Sequence, residues 1–371
     1  MVAIVNRTVL KGIVDYSDLS YGVDIDLSNY MDSSGWAVTV NKVIGTTSAD
    51  VIIGNDTRNQ QLIGNGGSDT FYGLGYGTSY IGSSGSDTVN FALQQNSVYV
   101  DLSQNTSYRG EHFTSIENLV GGGGNDTLIG NDAVNVLTGG SGSDILDGRG
   151  GADIMVGGKG DDMYSVENSA DQIIENSGEG TDMVSSKISY ALGQNLENLE
   201  LLGATAINGT GNGVGNLILG NNAANKLLGL DGNDILQGNG GNDILDGGNG
   251  DDKLYGGSGQ DTLTGGSGKD TYYLSASGDS KVSARDHITD FTQGQDKIGL
   301  TAMDANTMKS GDQAFAFIGS TSFSNKAGEL RLEKHDGYTV VQGDTNGDGV
   351  ADFAIELDHF TYTMKASDFL L

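Results

Sequence analysis

The sequence predicts an all-β protein: arrays of a parallel β-roll, or β-helix solenoid, followed by a C-terminal β cap. Three observations predict this class: a nine-residue repeat of glycine and aspartate, short segments of alternating polarity, and a change of composition after Tyr273. Glycine contributes 61 of 371 residues, and proline and cysteine are absent. Glycine-rich turns that join short strands are typical of a solenoid, in which each repeat stacks on its neighbours.

The repeat has the form G-G-x-G-x-D-x-U-x, where U is an apolar residue. Because side chains alternate along a strand, only the U side chain of x-U-x points inward. Two nonapeptides then make one coil, so each repeat stacks on the next but one. In the array after Gly229, Asp234, Asp252 and Asp270 are expected along one edge, and Asp243 and Asp261 along the other.

Two further arrays precede this one and show the same pattern. The array over residues 121–165 is regular, whereas the array over residues 45–90 is the most irregular, with Asn59 and Thr78 at aspartate positions. Segments before these two arrays match each other, which indicates a duplicated unit. The predicted segments are a first repeat unit (1–88), a second repeat unit (89–165), a connecting segment (166–207), a third β-roll (208–273) and a C-terminal cap with a secretion signal (274–371).

The charge balance restricts the kinds of partner. There are 19 lysines and arginines against 49 aspartates and glutamates, a net charge of −30. Nucleic acids and anionic membranes are bound by basic surfaces, so neither is expected as a partner. A run of roughly 20 apolar residues is missing, so membrane insertion is not expected. The N-terminus lacks the apolar core of a Sec-type signal peptide. A strongly acidic chain is suited to a cationic partner.

The repeated aspartates predict bound calcium ions. Burying one leucine per repeat contributes roughly 1.5–3 kcal/mol, whereas ordering nine residues costs on the order of 9–18 kcal/mol. Stacked carboxylates add repulsion, which a hard cation reverses, and Ca²⁺ takes 6–8 oxygen ligands. A disordered acidic linker would not keep the nine-residue step. The predicted ligands in the repeats are Asp50, Asp69, Asp87, Asp126, Asp144, Asp153, Asp162, Asp234, Asp243, Asp252, Asp261 and Asp270.

A second kind of calcium site is predicted in the cap. The segment "DTNGDGVAD" begins like an EF-hand loop, with oxygen donors at positions 1, 3 and 5 and glycine at position 6, but it lacks Glu at position 12. The predicted ligands are Asp344, Asn346, Asp348 and Asp352. The alternative is a β-turn rich in Asx residues between two strands.

These repeats resemble the calcium-binding nonapeptide repeats of the RTX family of secreted proteins. The stretches "DHITDFTQGQDKIGL", "GELRL" and "QGDTNGDGVADFAIEL" resemble the C-terminal domain of serralysin-type metalloproteases. The terminal residues Asp368-Phe369-Leu370-Leu371 resemble the uncleaved secretion signal of that group. The resemblance implies a calcium-loaded parallel β-roll, a type I secretion channel as partner, and an extracellular or cell-surface location. That family usually has an aspartate at the position of Gly299.

Catalytic motifs are missing from the sequence. The four histidines, His112, His287, His335 and His359, form no H-E-x-x-H pair, so a zinc protease is excluded. There is no G-x-S-x-G motif for a serine nucleophile. We therefore expect no enzyme. A pair of carboxylates acting on a polysaccharide stays open, because glycoside chemistry needs only two acids.

Two functions follow from this organisation. The first is a structural or adhesive cell-surface protein, as part of a surface layer, fibre or matrix, that self-assembles or binds a cell-surface polysaccharide. The alternative is a polysaccharide-binding or polysaccharide-modifying module, associated with an epimerase or a lyase. Trp36, Tyr72, Tyr76 and Tyr80 could stack on a sugar, or instead fill the irregular first roll.

Overall fold

The computed structural model describes residues 12–27, 39–55, 57–360 and 363–371. Regular structure in these residues consists of β-strands and one short 3₁₀ helix, Ala366–Asp368, which confirms the all-β class. None of the described residues forms a helix long and apolar enough to cross a bilayer. The chain divides into two compact units, Met1–Met183 and Val184–Leu371.

The first unit is a stack of short strands that alternate between sheets. Its strands are β1 Ile13–Asp15, β2 Asp24–Asp26, β3 Lys42–Ile44, β4 Val51–Ile53, β5 Gln61–Gly66, β6 Thr70–Tyr72, β7 Ser79–Ser84, β8 Thr88–Asn90, β9 Tyr99–Asp101, β10 Thr106–Ser107, β11 His112–Thr114, β12 Asn118–Val120, β13 Thr127–Asn131, β14 Val136–Ser141, β15 Ile145–Arg149, β16 Ile154–Lys159, β17 Met163–Val166 and β18 Gln172–Ile174. One parallel sheet has the order β18-β16-β14-β12-β8-β6-β4-β2, and another has the order β1-β3-β5-β7-β11. A separate sheet contains the order β10-β9-β13-β15-β17, in which β10 pairs antiparallel with β9 and the other pairs are parallel.

The second unit repeats this arrangement and adds an antiparallel meander. Its strands are β19 Met183–Ser186, β20 Tyr190–Ala191, β21 Asn198–Leu201, β22 Gly209–Thr210, β23 Leu217–Leu219, β24 Lys226–Asp231, β25 Ile235–Gln237, β26 Ile244–Asn249, β27 Lys253–Tyr255, β28 Thr262–Ser267, β29 Thr271–Tyr273, β30 Asp286–Ile288, β31 Lys297–Gly299, β32 Ala316–Phe317, β33 Glu329–Lys334, β34 Tyr338–Asp344, β35 Phe353–Asp358 and β36 Phe369–Leu370. Its sheets have the orders β19-β21-β23-β25-β27-β29-β31-β36 and β20-β22-β24-β26-β28-β30-β35-β34-β33-β32.

The parallel pairing has the register that the nine-residue spacing predicts. Ile244 pairs with Thr262, and Thr127 pairs with Ile145, each one coil of two repeats further along the chain. The inward residues predicted for the third array are at most 1% exposed: Leu236, Leu245, Leu254, Leu263 and Tyr272. Successive turns stack in contact, and a Cβ built at Gly250, where φ is +141°, would collide with the Gly232 carbonyl. Glycine is therefore required in these turns.

The structure corrects one predicted position in the first array. Asn59 was expected at an aspartate position, but the buried residue there is Gln60, whose Nε2 donates to the Val40 carbonyl at 2.7 Å. The irregular step is therefore the one from Asp50 to Gln60, and the next step, to Asp69, has the regular nine residues. Thr78 does occupy such a position and is 2% exposed.

The predicted segment boundaries differ from the packed units. The boundary between residues 88 and 89 falls within the sheet of even-numbered strands, because β8 pairs with both β6 and β12. The predicted connecting segment, residues 166–207, contains strands of its own, and the boundary between the two units lies inside it. Short strands without the glycine signature were not visible in the sequence pattern.

The cap is built from β-strands, as predicted, and Phe369 and Leu370 belong to one of its sheets. Strands β33, β34 and β35 form an antiparallel meander, and β35 pairs in parallel with β30. At the terminus, Phe369 pairs with Ile298 and Leu370 with Gly299. Phe369 is 5% exposed. Two of the residues that resemble a secretion signal, Phe369 and Leu370, thus form strand β36.

The structure explains why glycine occupies position 299. Tyr255 and Tyr273 stack on adjacent strands, with ring centroids 4.7 Å apart and planes 5° apart. Tyr273 pairs with Gly299, and a Cβ built at Gly299 would lie 2.6 Å from Tyr273 Cε1. The tyrosine ring therefore occupies the space of the side chain that the related family has at this position.

We predict that Gly299→Asp destabilises the calcium-loaded protein by about 1–3 kcal/mol, the usual cost of overpacking. The double variant Tyr273→Ala/Gly299→Asp should recover part of this loss, because the ring no longer fills the space. Thermal unfolding of both variants and of Tyr273→Ala alone measures the coupling. Additive effects of the two substitutions would contradict the steric explanation.

Candidate metal centres

Aspartates at the repeat position form hydrogen-bonded rows along both edges of the coils in the second unit. Asp234 N–H donates to Asp252 Oδ1 at 2.8 Å, and Asp252 N–H donates to Asp270 Oδ1 at 3.0 Å. On the other edge, Asp243 N–H donates to Asp261 Oδ1 at 2.8 Å. All five aspartates are at most 1% exposed. One oxygen of each carboxylate thus ties successive coils together, in the two rows that the spacing predicts.

The first unit contains equivalent rows. Asp126 N–H donates to Asp144 Oδ1, and Asp144 N–H donates to Asp162 Oδ1, both at 2.7 Å. Asp50 N–H donates to Asp69 Oδ1 at 2.8 Å. The remaining predicted ligands in this unit accept in the same way from the coil before them: Asp87 from Asp69, and Asp153 from Asn135, each at 2.8 Å.

The second oxygen of most of these carboxylates has no hydrogen-bond donor. Among the described residues, Oδ2 is buried and unpartnered in Asp69, Asp87, Asp144, Asp153, Asp162, Asp234, Asp243, Asp252, Asp261 and Asp270. A buried polar atom without a partner costs roughly 1–3 kcal/mol, and more when it is charged. So many unpartnered carboxylate oxygens in register indicate that a cation completes the rows.

Glycine carbonyls line the same small spaces as these oxygens. A Cβ built at Gly247 would collide with Asp252 Oδ2 and lie 2.7 Å from the Gly265 carbonyl oxygen. At Gly139, a built Cβ would collide with Asp144 Oδ2 and lie 2.8 Å from the carbonyl oxygen of the next coil. We call each such space a cradle. Carboxylate and carbonyl oxygens are the donors that Ca²⁺ takes, so the residues present fit this ion.

The first aspartate of two rows differs from those that follow. Asp50 Oδ2 accepts the Thr46 N–H, and Asp126 Oδ2 accepts the Gly122 N–H, both at 2.6 Å. Their other oxygens accept backbone N–H groups as well. Each oxygen of these two carboxylates thus accepts a backbone N–H, and an ion at these two predicted ligands stays a prediction.

Asparagine at the repeat position pairs both ends of its amide. Asn225 Nδ2 donates to the Ile207 carbonyl at 2.6 Å, and Asn135 Nδ2 donates to the Glu117 carbonyl at 2.7 Å. In both residues Oδ1 accepts a backbone N–H at 2.8 Å. An asparagine therefore brings neither a charge nor an unpartnered oxygen to its row.

Burial raises the pKa of the row carboxylates. The pKa of Asp69 and that of Asp243 are each raised to about 7, and the pKa of Asp252 is raised to about 6. Desolvation is the main cause, and neighbouring aspartates add to it. Without a cation, the carboxylates of a folded row therefore keep their protons to higher pH than a free aspartate does.

Acids outside the glycine-rich repeats continue the rows and were missed in the sequence. Glu117 Oε2 accepts the Asp87 N–H at 2.8 Å. The others are four aspartates: Asp171, Asp182, Asp286 and Asp296. Each accepts, through Oδ1 at 2.8–3.1 Å, the backbone N–H of the last aspartate in its row. Each is followed two positions later by an isoleucine or a valine. That short signal, an acid and then an apolar residue, persists where the glycines do not, and could have found them.

The cap loop that begins like an EF-hand has the geometry of the alternative prediction, a β-turn rich in Asx residues. Asp344 accepts three backbone N–H groups from within the loop, at 2.6–3.2 Å. Asp352 Oδ2 accepts the backbone N–H and the hydroxyl of Thr345, each at 2.7 Å. Asn346 and Asp348 each accept the N–H two residues further along, at 2.8 Å. These contacts favour an Asx-rich turn between β34 and β35, and an ion here stays a prediction.

Comparison with solved structures gives distant matches. The AlgE6R3 subunit of the mannuronan C5-epimerase from Azotobacter vinelandii is 23% identical with a TM-score of 0.22, over 42% of this chain and 77% of that one. The AlgE6R2 subunit is 23% identical with a TM-score of 0.25, over 45% and 92%. The extracellular lipase LipA from Serratia marcescens is 16% identical with a TM-score of 0.24, over 79% and 44%. No curated protein matches the sequence.

Two family models match the chain. Residues 114–146 and 129–164 match the RTX calcium-binding nonapeptide repeat. Residues 205–371 match the serralysin C terminal of peptidase family M10. Both matches fall on the coils and the cap described above. The chain therefore contains RTX calcium-binding nonapeptide repeats and a serralysin-type C-terminal domain.

Proposed function

We propose that this protein leaves the cell through a type I channel, binds several calcium ions in its aspartate rows outside, and serves there as a structural or adhesive component. The observation that carries the calcium step is the set of buried Oδ2 atoms without donors, which in Asp144, Asp234, Asp243 and Asp252 lie beside a glycine carbonyl. The role is that of a scaffold rather than an enzyme.

Calcium binding and folding are coupled in this account. The cradles exist only in the stacked coils, so the ion binds the folded state and adds RT ln(1 + [L]/Kd) per site. Extracellular calcium modules have dissociation constants of roughly 10⁻⁴–10⁻³ M. At low cytosolic calcium the rows stay empty and the chain stays unfolded, as passage through an export channel requires.

A scaffold role is supported by the outer face of the coils. In the second unit, Asn249 Nδ2 donates to Asp231 Oδ1 at 2.7 Å, and Ser267 Oγ donates to Asn249 Oδ1 at 2.6 Å. These side chains lie on successive strands in register. Such faces present polar groups at the regular spacing of strands, and exposed carboxylates can be bridged by Ca²⁺ between chains.

A second candidate, binding of an anionic polysaccharide, is favoured by one cluster in the first unit. The Arg58 and Arg109 guanidinium carbons lie 5.7 and 5.2 Å from the centroid of the Tyr76 ring. Here the repeat positions hold Gln60 and Thr78 instead of aspartate. Guanidinium groups bind carboxylates in a bidentate manner. This edge therefore carries positive charge on an otherwise acidic protein.

The tyrosines near this cluster divide between surface and core. Tyr76 is 54% exposed, and Tyr108 is 84% exposed and stacks on Tyr99 at 4.5 Å. Tyr80 is fully buried and fills the roll, whereas Tyr72 is half-buried. Trp36 lies outside the described residues. The exposed rings beside two arginines offer a surface on which a sugar ring could stack.

We predict that Asp252→Ala destabilises the calcium-loaded fold by about 1–3 kcal/mol and raises the calcium midpoint, because it removes a row carboxylate. Asp251→Ala is the matched control, since Asp251 is exposed and lies next to it in the sequence. Calcium titrations followed by circular dichroism compare the two variants. Equal midpoints would show that the rows do not hold the ions.

The raised pKa values predict competition between protons and calcium. A folded-state pKa above the unfolded value stabilises the fold at low pH, and this contribution is lost as pH rises through the folded value. In metal-free buffer, β structure should therefore appear as the pH falls from about 7 to about 4, in the range set by Asp69 and Asp252. Circular dichroism across this range measures it. A spectrum independent of pH would contradict the desolvation argument.

Assembly tests the scaffold role. In millimolar Ca²⁺ the full chain should form large particles by light scattering and ordered sheets or fibres by electron microscopy. The same concentration of Mg²⁺ is the control, because Mg²⁺ keeps its water and demands tighter geometry. A chain that folds in calcium and stays monomeric at high concentration would contradict self-assembly.

Binding to a polyuronate tests the second candidate. Arg58→Gln and Arg109→Gln should each weaken binding by about tenfold or more, the equivalent of losing a hydrogen bond to a charged group. Arg149→Gln is the control, since Arg149 pairs with Asp147 at 3.1 Å in the same unit. Calorimetry in saturating calcium keeps the fold constant. Uniform effects of the three substitutions would argue against a site at Tyr76.

A further inference from the structure

In each of the two units, one sheet has a tyrosine at the inward position that leucine occupies in the preceding coils. In the first unit the inward residues Leu128 and Leu146 are followed by Tyr164 on the next strand of the same sheet. In the second unit Leu254 is followed by Tyr272. Both tyrosines are fully buried. A leucine would fill the core equally well, so the hydroxyl needs an explanation of its own.

The hydroxyl oxygen lies in the last cradle of each row. In the earlier cradle, a Cβ built at Gly247 would collide with Asp252 Oδ2 and would lie 2.7 Å from the Gly265 carbonyl oxygen. In the last cradle, a Cβ built at Gly265 would collide with Asp270 Oδ2 and would lie 2.5 Å from the Tyr272 hydroxyl oxygen. The phenolic oxygen thus stands where a glycine carbonyl stands one coil earlier.

The first unit repeats this geometry with a different sequence. In the last cradle, at Gly157, the nearest atoms to a built Cβ are Asp162 Oδ2 and the Tyr164 hydroxyl. In the preceding cradle, at Gly139, the second partner is the Gly157 carbonyl. Asp162 and Asp270 are 2% and 1% exposed, and their Oδ2 atoms have no hydrogen-bond donor.

An acid replaces the next glycine in both units. The register of β16 with β18 places Glu175 opposite Gly157, and that of β28 with β30 places Asp290 opposite Gly265. Tyr164 donates its hydroxyl hydrogen to Glu175, and Tyr272 donates its own to Asp290 Oδ1 at 2.9 Å. The hydrogen points at the acid. The Tyr272 oxygen also accepts the Gly265 N–H at 3.1 Å, and because a hydroxyl oxygen has two lone pairs, one remains for a ligand in the cradle.

The last cradle of the first unit also contains a cluster of carboxylates. Oxygens of Asp162, Glu175 and Asp182 all lie within 4.8 Å of one another. In the second unit Asp270 N–H donates to Asp296 Oδ1, as Asp162 N–H donates to Asp182 Oδ1. A higher ligand charge raises the affinity of a calcium site.

We propose that each of these rows ends in a specialised calcium site, in which the phenolic oxygen of Tyr164 or Tyr272 replaces the missing glycine carbonyl. Glu175 and Asp290 orient the phenol by accepting its hydrogen. These two terminal sites fill at lower calcium than the interior cradles, so the row begins to order at its C-terminal end. The inference rests on the proposed calcium binding and adds ligands that the nonapeptide does not contain.

Terbium replaces calcium in the test, because its emission is sensitised by a tyrosine at the ion. Tyr164→Phe and Tyr272→Phe remove one oxygen and keep the volume, so the coils still pack. Each variant of the full chain should lose part of the tyrosine-sensitised emission and bind one calcium ion fewer by native mass spectrometry. Tyr255→Phe is the control, because Tyr255 stacks on Tyr273 on a half-exposed face outside the cradles.

A second variant keeps the test decisive if a phenylalanine disturbs the fold. Glu175→Gln retains the shape of the acceptor and lowers the charge of the site, so it should also weaken the first ion to bind. Wild-type emission and ion counts in every variant would overturn the inference, and would mean that the phenol closes the row without an ion. A wild-type chain that binds no calcium would instead overturn the proposed function itself.

Discussion

The burial of one carboxylate at each edge of each coil is the constraint on which the rest of this structure depends. One carboxylate oxygen accepts a backbone N–H from the preceding coil and fixes the stacking, as between Asp234 and Asp252. The other oxygen, Oδ2 in Asp252, has no hydrogen-bond donor and lies beside a glycine carbonyl. The hydrogen bond specifies the register, and the unpartnered oxygen makes the same coil unstable until a cation is bound. Folding and calcium binding are therefore one event in this account.

At the ends of the rows, hydrogen bonds within the protein satisfy the buried polar side chains. Two rows begin with a carboxylate whose oxygens both accept backbone N–H groups, as in Asp126. Other rows begin with an asparagine whose amide is paired at both ends, as in Asn225. Rows end where acids such as Asp296 accept the last free N–H. The sequence thus sets, coil by coil, which positions need an ion and which do not.

Much of this could be predicted from spacing alone, because a nine-residue step with one apolar residue fixes both register and rows. What could not be predicted lies where the step changes. The ten residues between Asp50 and Gln60 shift the buried position by one, and the one signal for this shift is Leu62, the apolar residue two positions after Gln60. The acids beyond the repeats lack flanking glycines, and the role of Gly299 depends on a tyrosine ring from a neighbouring strand.

The most direct measurement follows bound calcium and β structure in the same titration of the full chain. Equilibrium dialysis counts the ions, and circular dichroism on the same samples reports the strands. The account predicts that the two curves superimpose, with several ions taken up over the same narrow range of calcium in which the coils form. Complete β structure at neutral pH before any ion is bound would contradict it, because the buried carboxylates would then be stable in the fold without a cation.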